Sequence, residues 1–179
     1  MPDDIDSDQA AFFVIAQITM NAVRRSQLTW GESVVVFGMG LLGQLTARLC
    51  VLAGAARVFV VDISDRRLEL AGEGVIPINP TKQDVGEVVS EHNAGRLADV
   101  VFEVTGNADL IASEMQVLRP VGRFVIVSSP KRPVNFDFHD LCNNPSFSII
   151  GAHNFSHPEA ATSLNPWTQN VYENRRLCR

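Results

Sequence analysis

The apolar positions of this chain fall into short runs that alternate with amphipathic stretches. Runs rich in Val, Ile and Phe predict strands at 33–37, 57–62, 74–79, 98–104, 122–128 and 146–153. Helical spacing and capping residues predict helices between them, at 41–54, 64–71, 84–92 and 107–118. Near-continuous apolar strands separated by helices are typical of a parallel sheet covered on both faces. We therefore expect a doubly wound α/β fold with about six strands and with helices on both faces of the sheet.

A further amphipathic stretch precedes the first predicted strand. From residue 8 to about residue 25, apolar side chains recur at helical spacing behind acidic residues, which favour the amino end of a helix. The pattern divides the chain into a lead-in with one helix (1–30), an α/β domain (31–155) and a C-terminal tail (156–179).

The first predicted strand continues directly into a glycine-rich turn, VVVFGMGLLG (34–43). This glycine spacing between a strand and a helix is the fingerprint of dinucleotide-binding domains. We expect Gly38 to permit the tight turn, Gly40 to let a pyrophosphate approach the backbone, and Gly43 to let the helix pack close to the strand. Leu41 and Leu42 begin that helix, where free N–H groups and the helix dipole favour phosphate.

An acidic residue follows the turn at the distance that this fingerprint requires. Asp62 ends the second predicted strand, where a carboxylate accepts hydrogen bonds from the adenosine ribose, and its neighbour Ile63 joins the candidate site. A carboxylate there would repel the 2′-phosphate of NADP, so we expect NAD as the cofactor. Arg66 and Arg67 would soften that preference, because a guanidinium binds phosphate bidentately. The alternative interpretation of the three glycines is that they only form a tight turn, in an α/β domain that binds no dinucleotide.

Composition and charge narrow the class of protein. The chain has 179 residues, of which 46% are apolar and 20% are charged, as in globular domains. Its net charge of −5 argues against a nucleic-acid partner, which requires a basic face. Its longest apolar run near the start, AAFFVIA, is too short to span a membrane, and the acidic first residues do not resemble a secretory signal. Three widely separated cysteines indicate a reducing compartment, so we expect a cytoplasmic protein.

Four segments together resemble the cofactor domain of the medium-chain, zinc-type alcohol dehydrogenase superfamily, nearest its polyol and threonine dehydrogenase members. They are GESVVVFGMGLLGQLTARLCVLAGAARVFVVDISDRRLELA, ADVVFEVTGN, LRPVGRFVIVSS and FSIIGAHN. The resemblance implies a Rossmann fold. It places Arg67 over the adenosine side of the cofactor, although a solvated helix residue is an equal alternative for this arginine.

The same resemblance implies further cofactor contacts at the ends of later strands. Thr105 and Gly106 would lie under the ribose and nicotinamide, unless they only form a helix-capping turn. Val127, Ser128 and Ser129 would face the nicotinamide amide.

The chain departs from the superfamily pattern at both ends. Superfamily members carry a catalytic domain with the zinc ligands ahead of the cofactor domain, and we expect that domain to be absent here and the tail to be truncated. Val14 stands where polyol dehydrogenases have a late zinc-binding Glu, and valine cannot bind a metal. His153 and His157 would supply only half a metal site, in a segment that is typical of a loop. We therefore expect no zinc in this chain.

The most favoured function is the NAD-binding domain of an alcohol or polyol dehydrogenase, which transfers hydride between nicotinamide and an alcohol or carbonyl carbon. No acid, base or nucleophile can be named, and we expect the chain alone to be inactive. Two alternatives stay open: a methyltransferase that uses S-adenosylmethionine, and a non-catalytic NAD-binding remnant or redox sensor. Because the strand at 146–152 would lie at the sheet edge, which in relatives of this shape joins two subunits, we also expect a homodimer.

Overall fold

Residues 5–153, described by a computed structural model, form a six-stranded parallel sheet with helices on both faces. The strands are β1 (Ser33–Phe37), β2 (Arg57–Val61), β3 (Ile76–Ile78), β4 (Ala98–Glu103), β5 (Leu118–Ile126) and β6 (Ser148–Gly151). The helices are α1 (Ser7–Ala11), α2 (Phe13–Arg25), α3 (Leu41–Leu52), α4 (Asp65–Glu69), α5 (Val85–His92) and α6 (Ile111–Met115). A short 3-10 turn (Ala108–Leu110) precedes α6, and a π-helical turn (His139–Asn143) precedes β6.

The strand order is β3-β2-β1-β4-β5-β6, and every pairing is parallel. This is the doubly wound order of the Rossmann fold, with its topological switch point between β1 and β4. The predicted fold class is therefore confirmed, as is the position of the last strand at the edge of the sheet.

Two apolar clusters hold the helices against the sheet. One contains side chains of α2, α3 and α4 against one face, including Ala22, Cys50 and Phe102. The other contains side chains of α5 and α6 against the opposite face, including Val89 and Met115. All residues of β1 and β4 are buried, which explains why these strands have no polar alternation in the sequence.

Several element boundaries differ from those that the sequence predicts. The helix expected over 8 to 25 is divided at Phe12, which lies between α1 and α2. The helix expected over 107–118 is shorter, because a 3-10 turn replaces its first turn and β5 already begins at Leu118. Asp84 caps α5 as expected by accepting from the N–H of Glu87, whereas Ser64 precedes α4 without a side-chain hydrogen bond to it.

A buried polar network closes the amino-terminal edge of the sheet, opposite the glycine turn. Asp99 accepts hydrogen bonds from the N–H and the hydroxyl of Ser33 at 2.7 Å each, and it is paired with Arg119. Burial alone would raise the pKa of the Asp99 carboxyl, but the hydrogen bonds from Ser33 and Arg119 hold it below its ordinary value. The network therefore ties β1 to β4 far from the candidate site.

No helix within residues 5–153 is long and apolar enough to cross a membrane.

Candidate functional site at the switch point of the sheet

The glycine turn lies where the carboxyl ends of β1, β2 and β4 meet. The N–H of Gly38 donates to the carbonyl of Val61 at 2.8 Å, and the N–H of Val104 donates to the carbonyl of Phe37 at 2.9 Å. These bonds extend the sheet one residue beyond β1 and β4. In open α/β sheets, ligands bind in the crevice at this switch point.

The three glycines of the turn have different surroundings. Gly38 has φ +91°, and a Cβ there would lie 3.0 Å from the backbone N of Thr105. A Cβ on Gly43 would lie 1.8 Å from the carbonyl oxygen of Gly38, so α3 can pack against the turn only without a side chain at this position. Gly40 precedes α3, and a Cβ there would meet nothing within 4 Å. The backbone at Gly40 is therefore open to a ligand.

The amino end of α3 faces the same crevice. No side chain caps this end of the helix, so its first N–H groups and its dipole are available to an anion. Leu41 is 48% exposed and Leu42 is half-buried at this end. The helix is 12 residues long, long enough for a substantial dipole.

The Asp62 carboxylate anchors the backbone on either side of the crevice. Its Oδ2 accepts from the N–H of Met39 at 2.8 Å, and its Oδ1 accepts from the N–H of Ser64 at 2.8 Å. Arg67 Nη1 lies 3.5 Å from Oδ2. A carboxylate has about four lone-pair sites, and these three donors occupy three of them, so Oδ1 retains the capacity to accept from another donor.

A groove of about 1030 Å³ runs along this edge of the sheet from the glycine turn to α6. Its volume is at the upper end of the range for cofactor sites, about 300–1,000 Å³. Of the predicted site residues, those that line it are Gly38, Gly40, Asp62, Ile63, Arg67 and Thr105. Those that do not line it are Leu41, Leu42, Gly43, Gly106, Val127, Ser128 and Ser129.

The loops after β4 and β5, which carry the remaining predicted residues, are joined through a buried acid, Glu103. Its Oε1 accepts from the N–H of Thr105 at 2.7 Å, from the Thr105 hydroxyl at 2.7 Å and from the N–H of Gly106 at 2.8 Å. The Ser128 hydroxyl donates to Oε2, and the backbone N–H groups of Val127 and Ser128 donate to the Glu103 carbonyl. Glu103 thus fixes both loops relative to the switch point.

A second buried acid, Glu114 on α6, lines the groove and has a different environment. It is 1% exposed, and neither carboxyl oxygen has a hydrogen-bond partner among residues 5–153. Burial, together with the nearby carboxylate of Glu103, raises the pKa of Glu114 to about 9. The carboxyl is therefore protonated and neutral at pH 7.

Neither acid was predicted from the sequence, although both leave a signal there. Glu103 is one of two charged residues, with Asp99, in the otherwise apolar run ADVVFEV. Glu114 lies between Ile111 and Met115, on the turn of α6 that faces the core. A charged residue at a position that the apolar pattern assigns to the core is the signal that would have identified them.

Two basic residues, Arg67 and Lys82, line the groove near Asp62. Arg67 is 58% exposed, and Lys82 is 60% exposed and paired with Asp65 at 2.6 Å. Hydrogen bonds from Lys82 and Asn79 lower the pKa of the Asp65 carboxyl. The end of the groove at Asp62 therefore carries charges of both signs.

The described residues do not supply a zinc site. No group of three or more His, Cys, Asp or Glu side chains within residues 5–153 is arranged to hold a metal ion. Val14 is 52% exposed on α2. His153 follows β6, and His157 lies outside the described residues.

A family model described as zinc-binding dehydrogenase matches residues 42–169. L-threonine 3-dehydrogenase from Symbiobacterium thermophilum is 38% identical over 108 residues, which are 59% of this chain and 31% of that protein. The chain spans between 31% and 41% of the length of the first curated relatives that it matches.

Solved structures agree with the sequence matches. The structure of 2R,3R-butanediol dehydrogenase from Bacillus subtilis has a TM-score of 0.81 and 27% identity, covering 97% of this chain and 47% of that chain. A Sinorhizobium meliloti 1021 protein solved bound to NADP shares the fold, with a TM-score of 0.80 and 22% identity over 97% of this chain and 49% of that chain. The family match favours a dehydrogenase over a methyltransferase. The chain belongs to the zinc-binding dehydrogenase family, the medium-chain alcohol dehydrogenases, and contains the cofactor-binding part of that fold.

Proposed function

We propose that the chain binds NAD in the groove at the switch point and serves as the cofactor domain of a dehydrogenase that acts on a small alcohol, polyol or carbonyl compound. The observation that carries this proposal is the open backbone at Gly40, between the uncapped amino end of α3 and the Asp62 carboxylate. When bound, the nicotinamide supplies the hydride chemistry, and the protein supplies binding, orientation and electrostatics.

The described residues divide these tasks between them. The amino end of α3 would bind the pyrophosphate, because its first N–H groups and the helix dipole favour an anion. Asp62 would accept hydrogen bonds from the adenosine ribose. Thr105, Gly106 and the segment 127–129 would support the ribose and nicotinamide, with Glu103 fixing the two loops. The catalytic acid or base and the substrate pocket are left to other parts of the enzyme, so we expect no turnover by this chain.

NAD rather than NADP is the expected cofactor because of Asp62. Its carboxylate can accept from ribose hydroxyls while keeping its bonds to the N–H groups of Met39 and Ser64. A 2′-phosphate would lie against the same carboxylate, and like charges repel strongly where water is partly excluded. Arg67 and Lys82 reduce this penalty without removing the carboxylate.

We predict that Asp62→Ser weakens NADH binding about 10- to 100-fold, since each charge-assisted hydrogen bond contributes about 1.5–3 kcal/mol. NADPH should bind this variant better than it binds the unmodified chain, with Arg66 or Arg67 contacting the phosphate. Fluorescence titration of both cofactors against both proteins measures this. Glu69→Ser is the matched control, because Glu69 is an exposed acid on α4 that does not line the groove. If NADPH binds the unmodified chain as tightly as NADH does, Asp62 is not the ribose acceptor.

We also propose that the chain forms a homodimer in the cytoplasm through β6. Among residues 5–153, β6 pairs with no strand other than β5, so its outer edge is open to a second copy except at Gly151, whose carbonyl accepts from Arg25 Nε at 2.7 Å. Ile149 is 41% exposed on this edge strand. A reducing compartment suits Cys50 and Cys142, neither of which forms a disulfide.

Light scattering tests the assembly. The unmodified chain should have the mass of two chains at micromolar concentration, and Ile149→Lys should have the mass of one, because charged residues on an edge strand oppose pairing. Val134→Lys is the control, since Val134 is exposed to a similar extent outside β6. A monomer at high micromolar concentration would overturn the proposed dimer.

A further inference from the structure

The basic residues of the groove are each paired with an acid. Among the described residues that line the groove, the basic ones are Arg67 and Lys82. Arg67 Nη1 lies 3.5 Å from Asp62 Oδ2, and Lys82 Nζ lies 2.6 Å from Asp65 Oδ2. Asp62 lines the groove, whereas Asp65 does not. Asp65 is therefore placed to act on a ligand in the groove through Lys82.

Asn79 holds the segment that carries Lys82 against the segment that carries Asp65. Asn79 is buried, and its side-chain amide donates to the carbonyl of Ile63 at 3.1 Å and to Asp65 Oδ1 at 2.7 Å. The N–H of Lys82 donates to the Asn79 carbonyl at 3.0 Å. Ile63 directly follows Asp62 and lines the same groove. The backbone of Lys82 is thus fixed beside the end of the groove at which we place the adenosine ribose.

The ion pair between Lys82 and Asp65 is not needed to hold these two segments together. Both side chains are more than half exposed, and an ion pair in water contributes little to stability. Asn79 already joins the two segments through its own hydrogen bonds. Asp65 is nevertheless ionised at neutral pH, since hydrogen bonds from Lys82 and Asn79 lower the pKa of its carboxyl. The pair therefore places a full negative charge against the ammonium group of Lys82 and adds little to the fold.

Without this acid, a lysine at the edge of the groove would favour a phosphate. Its ammonium group carries three donors at the end of a flexible four-carbon stem, so it can turn from one anion to another. NADP differs from NAD by a phosphate on the 2′-hydroxyl of the adenosine ribose. That phosphate would compete with the Asp65 carboxylate for the ammonium group of Lys82.

We propose that Asp65 is a second determinant of the preference for NAD, because it holds Lys82 and limits how far this lysine offsets the repulsion between Asp62 and a 2′-phosphate. This inference rests on the proposed function, since it takes the dinucleotide to lie in this groove with its ribose at Asp62. Asp62 contacts the ribose itself, whereas Asp65 is a positioning residue that acts through Lys82. Selection against NADP is then divided between two acids.

Fluorescence titration with NADH and NADPH tests the proposal, with the ratio of the two dissociation constants as the readout. Asp65→Asn should bind NADPH about 3- to 10-fold more tightly than the unmodified chain does, as expected for one ion pair at the protein surface. NADH has no phosphate at that position and should gain much less. Asparagine keeps an acceptor for the Asn79 amide, so the two segments should stay together. Competition of NADPH against bound NADH extends the measurement to weak NADPH binding.

Two further variants show whether the gain comes from the lysine. The double variant Asp65→Asn with Lys82→Met has the same net charge as the unmodified chain, and its ratio should return to that of the unmodified chain. Glu69→Gln is the matched control, because it makes the same change of charge on the same helix, α4, at an exposed position outside the groove. Its ratio should not change. A merely structural role of Asp65 would alter stability and leave the ratio as it is.

The contradicting outcomes separate this inference from the proposed function. An unchanged ratio in Asp65→Asn, with NADH bound as before, would overturn the role of Asp65 and leave the proposed function intact. A gain that persists in the double variant would also overturn that role, since the gain would then arise without the lysine. Absence of NADH binding to the unmodified chain would overturn the proposed function as well.

Discussion

Gly43→Ala is expected to destabilise the chain by about 3 kcal/mol or more, although alanine is the better helix former. The added Cβ would lie 1.8 Å from the carbonyl oxygen of Gly38 and 2.9 Å from its carbonyl carbon, both of them backbone atoms. The turn and α3 would have to move apart to relieve this contact. Thermal unfolding should show a melting temperature lower by about 6–12 °C, the usual equivalent of such a change at this chain length.

Gly40→Ala is the matched control for this prediction. The position precedes the same helix, but a Cβ there meets nothing within 4 Å, so the variant should stay within about 1 kcal/mol of the unmodified chain. If Gly43→Ala proves as stable as Gly40→Ala, α3 does not pack on the turn as closely as the distances at Gly43 require.

Stability should fall as the pH rises from about 5 to about 9, because of Glu114. Its carboxyl keeps its proton in the folded chain up to a pKa of about 9, whereas the unfolded chain releases it near its ordinary value of about 4.3. Between these values the folded state binds one proton more than the unfolded state, so unfolding becomes easier as the pH rises. The slope approaches about 1.4 kcal/mol per pH unit from this group.

Urea denaturation at pH 6, 7 and 8 measures this slope. Comparison with Glu114→Leu isolates the group, and the difference between the two proteins should grow by about 2–3 kcal/mol over that range. Asp99 does not produce this change, because hydrogen bonds hold the pKa of its carboxyl below its ordinary value. Glu91→Leu, at an exposed position on α5, is the control, and its stability should depend on pH as that of the unmodified chain does. Parallel pH profiles for the unmodified chain and Glu114→Leu would show that Glu114 is ionised in the folded chain.

The parallel sheet could be predicted from the sequence because its central strands are buried on both faces. A strand such as β1, with no polar residue between Ser33 and Gly38, has few alternatives to a place inside a parallel sheet. The turn after it could be predicted because its glycine spacing reflects close backbone contacts, which Gly38 and Gly43 make in the fold. The local sequence is therefore enough to predict both the buried strand and the turn.

What could not be predicted depends on contacts between distant parts of the chain. Glu103 interacts with Ser128, 25 residues away, and Glu114 lies near Glu103 only because α6 packs on β4. The Asp62 carboxylate, which accepts from the N–H of Met39, likewise joins positions 23 residues apart. Spacing rules describe one turn or one strand, so they predict Asp62 as a candidate ribose acceptor and say nothing about the backbone that it supports.

Boundaries differed from prediction where local geometry decided them. The division of the first helix at Phe12 follows from its φ of −83° and ψ of −5°, a departure from regular helical values that apolar spacing does not reveal. The early start of β5 follows from the pairing of Leu118 with Ala98 before an irregularity in the register, at a point where Pro120 and Gly122 indicate a loop in the sequence.

Calorimetric titration of the unmodified chain and of Gly40→Val with NADH tests the central claim most directly. We predict that the unmodified chain binds NADH saturably at one site. Gly40→Val should bind NADH at least about tenfold more weakly, equivalent to about 1.4 kcal/mol, because the valine side chain would occupy the space that the pyrophosphate needs. The variant should remain folded, since that space is open in the chain itself. Unchanged NADH affinity in a folded Gly40→Val, or no binding by the unmodified chain, would contradict the account.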